Sequence, residues 1–299
     1  MTELTVSRMD FGNFMRGVRE DAHQTLLAAA AGLEVSRQVI MRMEEGSPTK
    51  LTGPLIKLLL ANYGASAEVR DEALRLWSEL AEQDKMAKAQ GNSKGFWKAY
   101  TDQVVPAFPR FLRLEGAANR VLVHQPVIVP GLLQTPDYRR AIIRIDEPDL
   151  SAVNVERLLE LTARRQVRLS EPGFRLDALI SEAVLRHCPA TPAAMAAQLR
   201  WLAEIGEREN ISIRAIPWSA GPHRGLTIQP FTLLEFPHGS SGTALPTVVF
   251  VEGAIGSLYH ERATEIDRYR RAVASMRAVA LSETDTRELV LGRAKEYAL

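Results

Sequence analysis

Residues 36–46, SRQVIMRMEEG, set side chains suited to hydrogen-bond recognition along one side of a short helical pattern. At about 100° of rotation per residue, Val39, Ile40 and Met43 share one face, and Arg37, Gln38, Met41, Arg42 and Glu45 occupy the opposite arc. An arginine fork matches the two acceptors of guanine, and a glutamine amide matches the acceptor and donor of adenine. The chemistry this arc offers is paired hydrogen bonding to base edges, with Arg42 in reach of a base or a phosphate. A solvated helix face is the plainer alternative for the same residues. Ser36 stands where a hydroxyl caps a helix start, and Lys50 ends the following loop, SPTK.

Motifs for catalysis do not accompany this arc. The sequence has no GxSxG, no Walker loop, no GxGxxG after a strand and no HExxH,. His187 and Cys188 are adjacent and lack metal-ligand spacing,. No enzymatic activity, metal or cofactor is therefore expected. One other cluster draws notice: the loop GPHRG at 221–225 places His223 and Arg224 between glycines, a pattern that suits either an anion or ligand pocket or a surface turn,.

The elements that must position these residues fall into two groups. Positions 8–90 read as successive helices broken near His23, Glu34, Gly46 to Gly53 and Gly64,. PLIKLLLANYG carries proline at its start and glycine past its last apolar residue, and Ser66 is placed to cap the next helix,. After the polar stretch EQDKMAKAQGNSKG the pattern changes. β-like runs appear at 120–129, 174–180, 211–217, 231–236 and 247–251, and helical periodicity at 154–169, 192–207 and 261–280,. The expectation is an all-α domain of five helices over 1–81, a linker over 82–95, and an α+β domain over 96–299.

Composition narrows the partners. The 299 residues carry 37 basic and 36 acidic side chains, a net charge of +1, so no global field draws the chain to polyanions,. Residues 1–80 hold nine basic side chains against eleven acidic ones. A reader of DNA with this balance binds weakly as a monomer, because phosphate neutralisation supplies much of the affinity. The single cysteine, the absence of a signal-peptide pattern in MTELTVSRMDFG, and apolar runs well short of the roughly 20 residues that span a bilayer together suggest a cytoplasmic protein,.

The stretch FGNFMRGVREDAHQTLLAAAAGLEVSRQVIMRMEEG, residues 11–46, resembles the helix-turn-helix of phage-repressor-like (Xre family) regulators, without a gap from Arg19 to Gly46. The resemblance makes 36–45 the recognition helix, Arg37 and Gln38 the leading base contacts, and Arg19 with Glu44 a structural ion pair. It implies double-stranded DNA as partner and a homodimer on repeated half-sites. This chain departs from the family pattern at Leu26, where glutamine is usual, at Glu34, where glycine is usual, and in the loop SPTK, which lacks the usual arginines.

The remainder, from about Gly95 to Leu291, resembles the large C-terminal domain of actinobacterial regulators, some of them antitoxin-like. Its landmarks include GFWKAY, VPGLLQTPDY, ENISIRAIPWSAGPHRGL and VVFVEGAIGSLYHE. The resemblance implies regulation of transcription in development or specialised metabolism, often beside a small partner protein. Two further readings stand beside it: a protein-interaction regulator that sequesters a small partner, and a sensor whose small-molecule effector sits in the α+β domain.

Overall fold

The computed structural model describes residues 2–89, 100, 108–253 and 256–298. Of the expected linker, 82–89 is helical, while 90–95 and the GFWKAY landmark before Tyr100 lie outside the described residues. The first region is all helical and the second combines a six-stranded sheet with helices.

Five helices are found among the described residues of the first region: α1 (Thr2–Asp21), α2 (Leu26–Ala31), α3 (Arg37–Glu44), α4 (Gly53–Asn62) and α5 (Ala67–Ala89). The breaks between them follow local chemistry. The chain turns through the left-handed region at His23, Glu34, Gly46 and Gly64,. Glu34, at φ 54°, takes a conformation that glycine adopts at lower cost,. Pro54 sits in the first turn of α4, and the Ser66 hydroxyl accepts from Val69 N at the start of α5,. Phe11, Met15, Leu33, Ile40, Ile56, Leu59 and Leu76 are buried in one core.

The chain divides into two compact units. Unit 1 contains residues up to Lys98 together with Leu112–Ala118 and Glu235–Pro246; unit 2 contains the rest. Within unit 1 the segment from Glu235 is held by polar bonds. The fully buried Asp10 carboxylate accepts from Ser241 N at 2.8 Å, from the Ser241 hydroxyl, and from the Ser240 hydroxyl at 3.4 Å. Ser240 also donates to Glu79 at 2.8 Å, and its carbonyl accepts from Arg75 at 3.2 Å.

The strands are β1 (Arg120–Gln125), β2 (Arg175–Ser181), β3 (Ile211–Ile216), β4 (Phe231–Glu235), β5 (Val248–Gly253) and β6 (Gly256–His260), in the order β3-β2-β1-β4-β5-β6. β1, β2 and β3 run parallel, with Val121 opposite Leu176 and Leu176 opposite Ile211; β4, β5 and β6 are antiparallel neighbours. The helices are α6 (Phe108–Ala117), α7 (Pro136–Asp146), α8 (Ala152–Gln166), α9 (Pro192–Ile205), α10 (Ala263–Arg277) and α11 (Glu283–Glu296). Thr191 caps α9 by accepting from Ala194 N, with Pro192 in the first turn,. Ile266, Val273 and Met276 of α10 cover Leu122, Leu179, Phe231 and Val249. The near-continuous burial of β1 and β2 is what a sheet covered on both faces requires,.

VPGLLQTPDY forms a braced turn. β1 ends at Gln125, earlier than the expected Val129, because Val129 faces inward to bond its own segment. Its N–H donates to the Tyr138 hydroxyl at 3.2 Å and its carbonyl accepts from Gln134 at 2.7 Å. Gln198, fully buried on α9, accepts from Thr135 N and donates to the Leu133 carbonyl. Gln166 donates to the carbonyls of Leu132 and Gln134. Each of these side chains satisfies backbone that leaves a strand without entering another.

Candidate nucleic-acid interface

α3 is held by its ends and its inner face. Ile40 and Met43 are buried in the helical core, and Val39 packs against it. Gly12 lets α1 cross close to the end of α3. A Cβ at that position would lie 2.4 Å from the Met43 carbonyl oxygen and 2.8 Å from that of Glu44. Past the helix, Gly46 combines φ +66° with a Met9 backbone only 2.8 Å from where a Cβ would stand. Both glycines are required by backbone approach.

Arg19 reaches from the last turn of α1 to Glu44. Its Nε donates to Oε1 at 2.6 Å and a terminal nitrogen donates to Oε2 at 2.9 Å, with both side chains buried. The bond to Glu44 holds the Arg19 guanidinium above its ordinary range,. The sequence reading missed Arg16. It donates to the Glu44 carbonyl at 3.2 Å and lies 3.8 Å from its carboxylate, placing positive charge at the C-terminal end of the helix dipole,. Its i−3 spacing from Arg19 on α1 was the available signal. Tyr63 is buried nearby, and desolvation, then the Glu44 charge, push its phenol above the ordinary range.

The outer arc is open. Ser36, Arg37, Gln38 and Arg42 are exposed, Met41 is half-buried, and Lys50 is exposed in the following loop. Arg42 donates to the Pro48 carbonyl at 3.0 Å, which ties it to the loop. Ser36 occupies the N-cap position with extended backbone, but its hydroxyl does not make the expected capping bond. The Ser36 carbonyl instead closes the first turn by accepting from Val39 N at 2.9 Å. On the preceding helix, Leu26 packs against the core and Leu27 is 69% exposed.

His223 and Arg224 lie apart from this helix in sequence, and both belong to unit 2. The Nδ1 of His223 accepts from Gly225 N at 3.1 Å, so the imidazole shapes its own turn. Arg224 is anchored through its backbone N–H to the Ser275 hydroxyl of α10, and its side chain is exposed. A Cβ at Gly225 would come within 2.6 Å of the Met276 sulfur. GPHRG is thus a turn seated on α10. Among the described residues, no group of three or more His, Cys, Asp or Glu is placed to hold a metal, and no helix is long and apolar enough to cross a membrane.

Residues 108–292 match the model of a family described as a domain of unknown function, DUF5753. The chain belongs to the DUF5753 family. No curated protein and no solved structure matches it. The DUF5753 match starts at the first residue of α6 and ends within α11, so it takes in the whole sheet and the braced VPGLLQTPDY turn. α1 to α5, with the exposed arc of α3, precede the DUF5753 segment.

Proposed function

We propose that this DUF5753 protein is a sequence-specific DNA-binding transcriptional regulator of the Xre helix-turn-helix type, reading the major groove with α3. One observation carries the reading: Arg37 and Gln38 are exposed in the first turn of a helix whose opposite face is buried and whose far end is gripped by Arg19 and Arg16. The first residues of such a helix are those that meet base edges. The uncapped Ser36 hydroxyl and Lys50 are suited to phosphate,. No catalytic role belongs to the reading, and a cytoplasmic location follows from it.

The surplus of acidic over basic side chains in residues 1–80 makes a single half-site weak,. The reading therefore includes a homodimer on two half-sites about one helical turn apart. Selection from a random duplex pool with the full chain tests it. Enrichment of a repeated motif, with affinity falling steeply as salt rises, is the expected result; no enrichment and no salt-sensitive binding overturns it.

A second reading takes support from Leu27, whose large apolar side chain is exposed beside the half-buried Met41's helix in the same motif. On that reading the helix-turn-helix grips a small partner protein and DNA binding is residual. A partner that co-purifies from the native host and is released by Leu27→Asp, together with no duplex binding at low salt, would establish it in place of the first.

A further inference from the structure

The turn that leaves β1 carries polar atoms that the fold does not use. β1 is the point at which the sheet order changes direction, with β2 and β3 to one side and β4 to the other. In open α/β sheets, ligands collect beyond the carboxyl end of the strand at such a switch. The connection leaving that end contains Gly131 and Gln134, and Arg139 follows in the second turn of α7.

Gln134 is buried, and its Oε1 has no hydrogen-bond partner. Five residues on, the Arg139 Nε is likewise buried without a partner. Arg165, at the end of α8, brings a second guanidinium to the same turn. Its terminal nitrogens lie 3.6 Å from where a Cβ on Gly131 would stand, and its neighbour Gln166 bonds the Gln134 carbonyl. The Arg165 guanidinium also lies over the rings of Phe108 and Phe111, 5.6 and 5.7 Å from their centroids, which fixes its plane. Two unused atoms of opposite demand, the Gln134 Oε1 acceptor and the Arg139 Nε donor, thus belong to the segment that the Arg165 guanidinium approaches at Gly131.

We propose that Arg139, Arg165 and Gln134 form a binding site for a small anionic ligand held through a phosphate group. Guanidinium forks match phosphate oxygens, and a singly protonated phosphate supplies the O–H that the Gln134 Oε1 lacks. A carboxylate supplies no such donor. Desolvation, then the charge of Arg165, lowers the Arg139 guanidinium to about 10, which an added anion relieves,. The acids in this surrounding are Glu252, whose partial desolvation raises its carboxyl, and Asp146. Glu252 opposes the incoming anion, so removing its charge tightens binding.

Titration of the full chain with inorganic phosphate, followed by 31P line broadening and by melting temperature at fixed ionic strength, tests the site. Saturable binding is expected, with a rising melting temperature by mass action and a weaker response to acetate. Arg139→Gln is expected to weaken phosphate binding by about tenfold or more, and Glu252→Gln to strengthen it. Should Arg139→Gln fail to fold, the Glu252→Gln comparison with the parent chain decides. The proposal is overturned by no phosphate-specific response in the parent chain, by an equal response to acetate, by unchanged binding in folded Arg139→Gln, or by unchanged binding in Glu252→Gln.

Discussion

Arg19 and Glu44 face each other in a two-point pair, 2.6 and 2.9 Å, that joins the end of α1 to the end of α3 where water barely reaches. The guanidinium also donates to the Gln24 carbonyl at 2.9 Å, so one side chain fixes both the turn after α1 and the end of α3.

Removing one member of this pair takes from the other its two-point partner in a buried place. Arg19→Met is expected to destabilise the chain by about 3–5 kcal/mol, whereas the double change Arg19→Met with Glu44→Leu recovers most of the loss. Urea unfolding of Arg19→Met, Glu44→Leu and the double variant checks this; a double-variant loss equal to the sum of the two single losses would show that the two residues are not coupled.

Arg37→Ala and Gln38→Ala should leave stability within about 0.5 kcal/mol of the parent, because both side chains are exposed,. Each is expected to relax base preference at one position of the selected duplex by about 1–3 kcal/mol. Fluorescence anisotropy on single-base variants of that duplex reads the change, and preferences identical to the parent's would remove α3 from the recognition role.

Gly12→Ala pushes a methyl group against two carbonyl oxygens of α3. The expected cost is about 1–3 kcal/mol, together with weaker DNA binding, since α1 and α3 must separate. Gly17→Ala serves as the control, because a Cβ there meets nothing within 4 Å. Thermal unfolding should distinguish the two.

His124 is buried in β1, with Nδ1 3.3 Å from the Leu179 carbonyl and Nε2 without a hydrogen-bond partner. Burial, the largest cause, lowers its imidazole below the ordinary range, and His223 adds to the effect. The unfolded chain then takes up the proton first, so stability is lost as pH falls below the unfolded value of about 6.5. His124→Leu should flatten that acid limb of the urea midpoint between pH 7 and 5. An unchanged slope would place the pH dependence elsewhere.

Much of this was legible in the residues. The helix breaks at Glu34, Gly46 and Gly64, the cap at Ser66, and the inner face of α3 follow from local rules, and each recurs in the fold. The parallel order of β1 to β3 was not legible, because pairing is decided by contacts distant in sequence. β6 escaped notice because an edge strand with Leu258 exposed shows little alternation. α11 was missed for a similar reason: only Thr286, Val290 and Ala294 are buried along its 14 residues, too narrow a stripe to stand out. At α3, the arc was readable from rotation alone. The missing Ser36 capping bond was not, since it depends on which oxygen closes the first turn.

The bonds from Ser240 and Ser241 to Asp10 and Glu79 bear on how the protein is made. The helical body is finished by a segment ending at Pro246 in a chain of 299, so a ribosome must pass that point before Asp10 meets its donors. A fragment severed at Ala89 lacks those donors altogether. The first five helices are therefore a poor cassette for grafting onto other proteins, and during synthesis they are completed only when most of the DUF5753 segment has emerged.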